Sequence, residues 1–208
     1  MPGSRGFPAL ASNLDRHARV TLESDAMHHA GGLPHVNTPV VCRKATPHER
    51  HAIWNVRTAS IKALCKSHYG EETAEAWANV PPPDDFEDVI RSHDFLVAEN
   101  DTVLVGFGFL NQRTATLEAI FVAPEFARRG IGTAVLAALE EIARGAGLSR
   151  LGLSASLNAV GFYAQAGYQA IEPTIWPHPA GFDLPCVAMA KDLSRPFPNP
   201  PAQTKREA

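Results

Sequence analysis

Cysteine is scarce in this chain of 208 residues, and the three present, Cys42, Cys65 and Cys186, stand far apart. An odd, scattered set gives no disulfide framework and suits a reducing compartment. Basic charge is not in excess either: the formal net charge is −3 and the isoelectric point lies near 6.3. That balance argues against nucleic-acid binding as the main task. No apolar run approaches the ~20 residues that a membrane span needs. The N-terminus lacks the charged start and apolar block of a signal peptide. The expectation is a cytoplasmic monomer or homodimer with neither nucleic acid nor membrane as partner.

What is present suffices for a core, with 45% hydrophobic and 20% charged residues, close to ordinary globular usage. Eight of the 17 prolines fall in residues 1–40 or 194–208. Neither stretch keeps a helical or strand period, so 1–39 and 194–208 read as flexible tails around a domain at 40–193. His28, His29 and His35 belong to the first tail, where a solvated role outweighs metal binding. Cys65-x-x-His68 has the spacing of half a zinc site, but no second pair follows and no metal is expected.

Between the tails the pattern changes repeatedly. Val40 to Arg43 reads as a strand, and Pro47 to Leu64 as a helix on the spacing of Ile53, Val56, Ile61 and Leu64. Further helices are expected at Glu71–Asn79 and Asp84–Ser92, either side of Pro81-Pro82-Pro83. Phe95–Glu99 and Val103–Leu110 form a hairpin turning at Asn100-Asp101, and Thr116–Val122 is a strand stopped by Pro124. A helix from Arg129 to Ala146 carries the apolar stripe Ile131, Val135, Ala138, Leu139 and Ile142. A strand at Arg150–Ser154, a helix at Ala159–Ala166 and strands at Tyr168–Ile171 and Leu184–Met189 complete the reading.

The junction of strand and helix at Val122–Thr133 is the informative segment. The first N–H groups of a helix have no internal acceptor and carry the positive end of the dipole. Gly130 and Gly132 remove the side chains that would hold an anion away from them, and Arg128 and Arg129 add charge at the same place. Alone, a polar helix start with a solvated arginine pair explains these residues equally well.

The surrounding order is more specific. LEAIFVAPEFARRGIGTAVL resembles the strand, Val-x-Pro step and pyrophosphate loop of the GNAT superfamily of N-acetyltransferases. Ala159-x-x-Phe162-Tyr163-x-x-x-Gly167-Tyr168 is similar to its second signature. The likeness covers roughly residues 40–193, and LCKSHYGEETAEAW with the late LPCVAMAKDL resembles the YafP-like branch. Ala127 and Ser156 depart from the common residues at their positions.

The resemblance implies a mixed α/β fold with a central, mostly antiparallel sheet, flanking helices and a cleft where two strands splay apart. It implies acetyl-CoA as cosubstrate, bound by Phe121, Val122, Arg128, Arg129, Gly130, Ile131, Gly132 and Thr133. It also implies a strand bulge near Phe121–Val122 that frees a backbone N–H as an oxyanion donor. In the family a primary amine attacks the thioester directly, and neutralising a lysine-like amine at pH 7 costs roughly 4–5 kcal/mol. Glu118 matches the general base and Tyr163 the general acid. A Cys65–His68 nucleophile pair is disfavoured by direct transfer. Cys65, His68, Tyr69 and Trp77, with a last-strand loop carrying Trp176, His178 and Phe182, are expected near the acceptor, although such aromatics also serve as core. A small-molecule amine or amino acid is the expected acceptor; a protein or peptide amine, or a weakly catalytic CoA-binding module, stays open.

Overall fold

Strands rich in Phe, Val and Leu between short turns assemble one sheet, with helices covering both faces. The computed structural model describes residues 20–21, 40–178 and 180–194. The rest of the two tails, with His28, His29 and His35, lies outside the described residues. Strands are β1 (Val20–Thr21), β2 (Val41–Lys44), β3 (Asp94–Asn100), β4 (Val103–Asn111), β5 (Thr116–Val122), β6 (Arg150–Ser156), β7 (Gln169–His178) and β8 (Phe182–Asp192). Helices are α1 (Arg50–Leu64), α2 (Lys66–Tyr69), α3 (Glu71–Ala78), α4 (Phe86–Ser92), α5 (Ile131–Gly145) and α6 (Val160–Gln165).

The sheet order is β1-β2-β3-β4-β5-β6-β8-β7. Every neighbouring pair is antiparallel except β5 and β6, which run parallel and meet only at Thr116 and Gly152. The expected mixed α/β architecture is therefore observed. The β3–β4 hairpin turns at Asp101 and Thr102, both left-handed at φ 48° and 68°, one residue beyond the expected turn. Two left-handed residues give the turn whose twist matches that of the flanking strands.

Helix α5 is held to the sheet by Ile131, Val135 and Leu139, all buried with β4, β5 and β6 residues in one cluster. Each such side chain contributes about 1.5–3 kcal/mol, well above the few tenths at stake in helix propensity. Gly108 lets the helix ride close: a Cβ there would lie 2.8 Å from the Val135 side chain and 2.9 Å from the Ala119 carbonyl. At the other end, Glu140 is 1% exposed and accepts from Lys191 Nζ at 2.7 and 2.8 Å and from Arg144 at 3.0 Å. Packing and this buried ion cluster fix where the α5 N-terminus lies. The opposite face carries α1, α3 and α4 over two further clusters, around Ile53, Phe95 and Phe107 and around Ile61, Trp77 and Leu184.

Candidate active site

The site begins where β6 leaves β5. Beyond Thr116 and Gly152 the two strands have no ladder between them, so the sheet opens as a wedge toward Val122 and Ser156. Ala123 N–H donates to the Val105 carbonyl at 2.8 Å, which sets the alternation along β5. Phe121 and Ala119 turn their backbone polar groups to β4, and Ile120 and Val122 turn theirs into the wedge. An N–H is thus available at Val122 without a bulge there. The bulge lies elsewhere: Leu110 pairs with Leu117 and Phe109 with Ala119, leaving Glu118 as the extra residue. This corrects the expected position near Phe121–Val122. The departure of β6 does at Val122 what a bulge was expected to do.

The chain then passes Pro124 and turns sharply into α5. Arg128 adopts the left-handed region at φ 62° and Gly130, the N-cap, at φ 81°. That conformation costs an L-residue about 1–2 kcal/mol and suits glycine. The first backbone bond of the helix is Ala134 N–H to the Gly130 carbonyl, 2.9 Å. The N–H groups of Ile131, Gly132 and Thr133 have no acceptor among the described residues. A Cβ on Gly130 would meet nothing within 4 Å, and one on Gly132 would come 3.5 Å from the Phe162 ring and 3.6 Å from Val122. The α5 terminus, the end of β5 and α6 therefore converge. Arg128 and Arg129 are exposed, Arg129 lying 5.4 Å over the Phe126 ring.

Tyr163 on α6 is 6% exposed and packs edge-on against Phe162 at 4.9 Å and Tyr168 at 5.6 Å. Burial pushes its pKa above the ordinary phenol value, so the hydroxyl keeps its proton at neutral pH. That hydroxyl donates to no described residue. Glu118 belongs to the other face. The residue is exposed overall, yet partial burial of the carboxyl raises its pKa, with the charge of His93 opposing. His93 packs on Phe109 at 5.8 Å. Glu118 and Tyr163 thus lie on opposite faces of the sheet.

On the Glu118 face, α1 to α3 roof the wedge: Phe121 of β5 and Leu184 and Phe182 of β8 share a cluster with Ile61, Cys65, Trp77 and Tyr69. Tyr69 braces the roof, donating to the Pro185 carbonyl at 2.8 Å and accepting from Leu157 N–H at 2.9 Å. The Cys65 thiol donates to Asn158 Oδ1 at 3.5 Å, and burial raises its pKa to about 11, against the pull of Arg57. A thiol so poised is protonated and poorly nucleophilic. His68 is exposed and bonds Ser67 instead. The sequence predicts a loop carrying Trp176, His178 and Phe182, but β7 extends to His178 and β8 begins at Phe182. His178 stacks on Phe182 at 4.4 Å and is buried, while Trp176 is 44% exposed. Asn158 and Arg57, neither of them singled out by the sequence reading, also belong to this roof.

The sequence model of the Acetyltransferase (GNAT) domain matches residues 65–178. The chain belongs to the GNAT acetyltransferase family. A relative, the uncharacterized N-acetyltransferase YafP of Escherichia coli K12, is 25% identical over 113 residues, 54% of this chain and 70% of that one. The GCN5-related N-acetyltransferase of Rhodopseudomonas palustris superposes with a TM-score of 0.67 at 28% identity, over 78% of this chain and 99% of that one. PaiA N-acetyltransferase of Thermoplasma acidophilum, solved in complex with coenzyme A, shares the fold with a TM-score of 0.59 at 23% identity, over 74% and 98% of the two chains. As a GNAT protein the chain is an acyltransferase. Among the described residues no His, Cys, Asp and Glu cluster suits a metal ion, and no helix is long and apolar enough to cross a membrane.

Proposed function

We propose that this GNAT protein transfers acetyl from acetyl-CoA directly to the primary amine of a small molecule or amino acid, with residues 40–193 as its catalytic unit. The observation that carries the reading is the row of unpartnered N–H groups at Ile131, Gly132 and Thr133, opening beside a wedge that β6 has left unpaired. The open space where a Cβ on Gly130 would stand leaves this helix start accessible to a diphosphate. Gly130 to Thr133 would hold it through backbone N–H groups, with Arg128 and Arg129 supplying charge, and the pantetheine arm would follow Phe121 and Val122. Bound there, acetyl-CoA supplies an activated thioester.

The chain's own groups divide the remaining work. Val122 N–H donates to the carbonyl oxygen as negative charge develops on it. Glu118 accepts the amine proton through a water, and its raised pKa brings it nearer neutral operating pH. Tyr163 gives its proton to the departing sulfur. The roof braced by Tyr69 favours a small acceptor over a protein surface.

Replacing Arg128 and Arg129 together by alanine is expected to raise the KM for acetyl-CoA several-fold at unchanged kcat, because both charges act on the phosphates and neither on the reacting atoms. Steady-state thiol release measures both constants. An unmoved KM removes the diphosphate from this helix start.

A further inference from the structure

One buried charge in the roof has no counter-ion among the described residues. Arg57 on α1 is 7% exposed. Its Nη2 donates to the Trp77 carbonyl at 3.0 Å and its plane lies 4.4 Å over the Trp54 ring. Its Nη1 is fully buried and has no hydrogen-bond partner among the described residues. Among the described residues no carboxylate comes within ion-pair distance of it. Burial lowers its pKa to about 10, which still leaves it charged at neutral pH.

An arginine cannot escape burial by shedding its proton, so an unpaired buried guanidinium is a costly arrangement for the fold. The Arg57 Nη2 caps a C-terminal carbonyl of α3, at the negative end of that helix, which accounts for one face of the guanidinium and leaves Nη1 unused. The other titratable groups that sense it are Cys65 and His178. His178 has its pKa lowered by burial and then by the charge of Arg57. Neither supplies negative charge.

Arg57 lies one turn before Ile61, which shares a cluster with Phe121 of β5 and Leu184 of β8, so the guanidinium belongs to the layer that covers the acceptor side. We propose that Arg57 is the counter-charge for a carboxylate carried by the amine acceptor, which makes amino acids or related amino carboxylates the substrate class. A single buried cation matches a monoanionic carboxylate better than a dianionic phosphate. The inference rests on the acetyltransferase reading and specifies its acceptor.

The test compares α-amino acids with their own carboxamides as acceptors of the wild-type protein at saturating acetyl-CoA, by thiol release. We expect kcat/KM to be about tenfold or more higher for the acids, with the difference in KM. Arg57→Met should raise KM for the acids toward that of the amides and leave the acetyl-CoA KM unchanged. As a check independent of how that variant folds, the wild-type protein is also titrated with the same pairs without acetyl-CoA, following tryptophan emission, to which Trp54 beneath the guanidinium contributes. Saturable change with acids and none with amides supports the proposal. Amides equal to acids in both assays overturn it, as does preference for an aminoalkyl phosphonate. Acid-selective emission change with no acetyl consumption leaves Arg57 as a carboxylate site and defeats the transferase reading instead. Silence in both assays defeats both.

Discussion

Tyr163→Phe is expected to lower kcat about tenfold or more while acetyl-CoA affinity barely changes. The phenol is buried among Phe162 and Tyr168, so the phenylalanine ring fills the same space. Its hydroxyl donates to nothing in the described protein, so the fold loses no hydrogen bond. What is lost is a proton donor whose pKa burial holds above the usual phenol range, and with it protonation of the leaving thiolate. An aromatic with a purely packing role predicts unchanged turnover. Single-turnover kinetics beside a binding isotherm for acetyl-CoA separates the two outcomes.

Glu118→Gln should reduce kcat/KM about a hundredfold at neutral pH and also change the shape of the pH profile. A base works in its deprotonated form. In the wild-type protein activity is therefore present above the raised Glu118 pKa and falls as pH drops through it. Since partial burial raises that pKa, the acid limb lies above the pH expected of an ordinary glutamate. The glutamine variant lacks this limb. A variant that keeps the same limb at reduced height would assign it to another group and leave Glu118 a structural role at the bulge.

Much of this is legible in the sequence. Thr116–Val122 is a strand over the expected residues, and the helix over Ile131–Gly145 follows its apolar stripe. Both signals come from periodicity sustained over several residues, which local propensity and burial reinforce together. The failures have specific causes. Pro173 and Pro177 look like strand breakers, yet β7 is the sheet edge, where a missing N–H faces no neighbour. The bulge at Glu118 depends on the register between two strands and is invisible in either alone. Helix α2 is a single turn, too short for a period. The signal for Arg57 was present: a charge midway between Ile53 and Ile61, on the stripe that faces the sheet, contradicts the pattern around it.

The central claim concerns backbone amides, so backbone amides are the direct probe. In a titration with acetyl-CoA followed by two-dimensional NMR, the N–H resonances of Gly130, Ile131, Gly132 and Thr133 should shift most, together with Val122, as those groups acquire acceptors they lack in the free protein. Saturation with these resonances unmoved, and the changes gathered elsewhere on the sheet, would contradict the account.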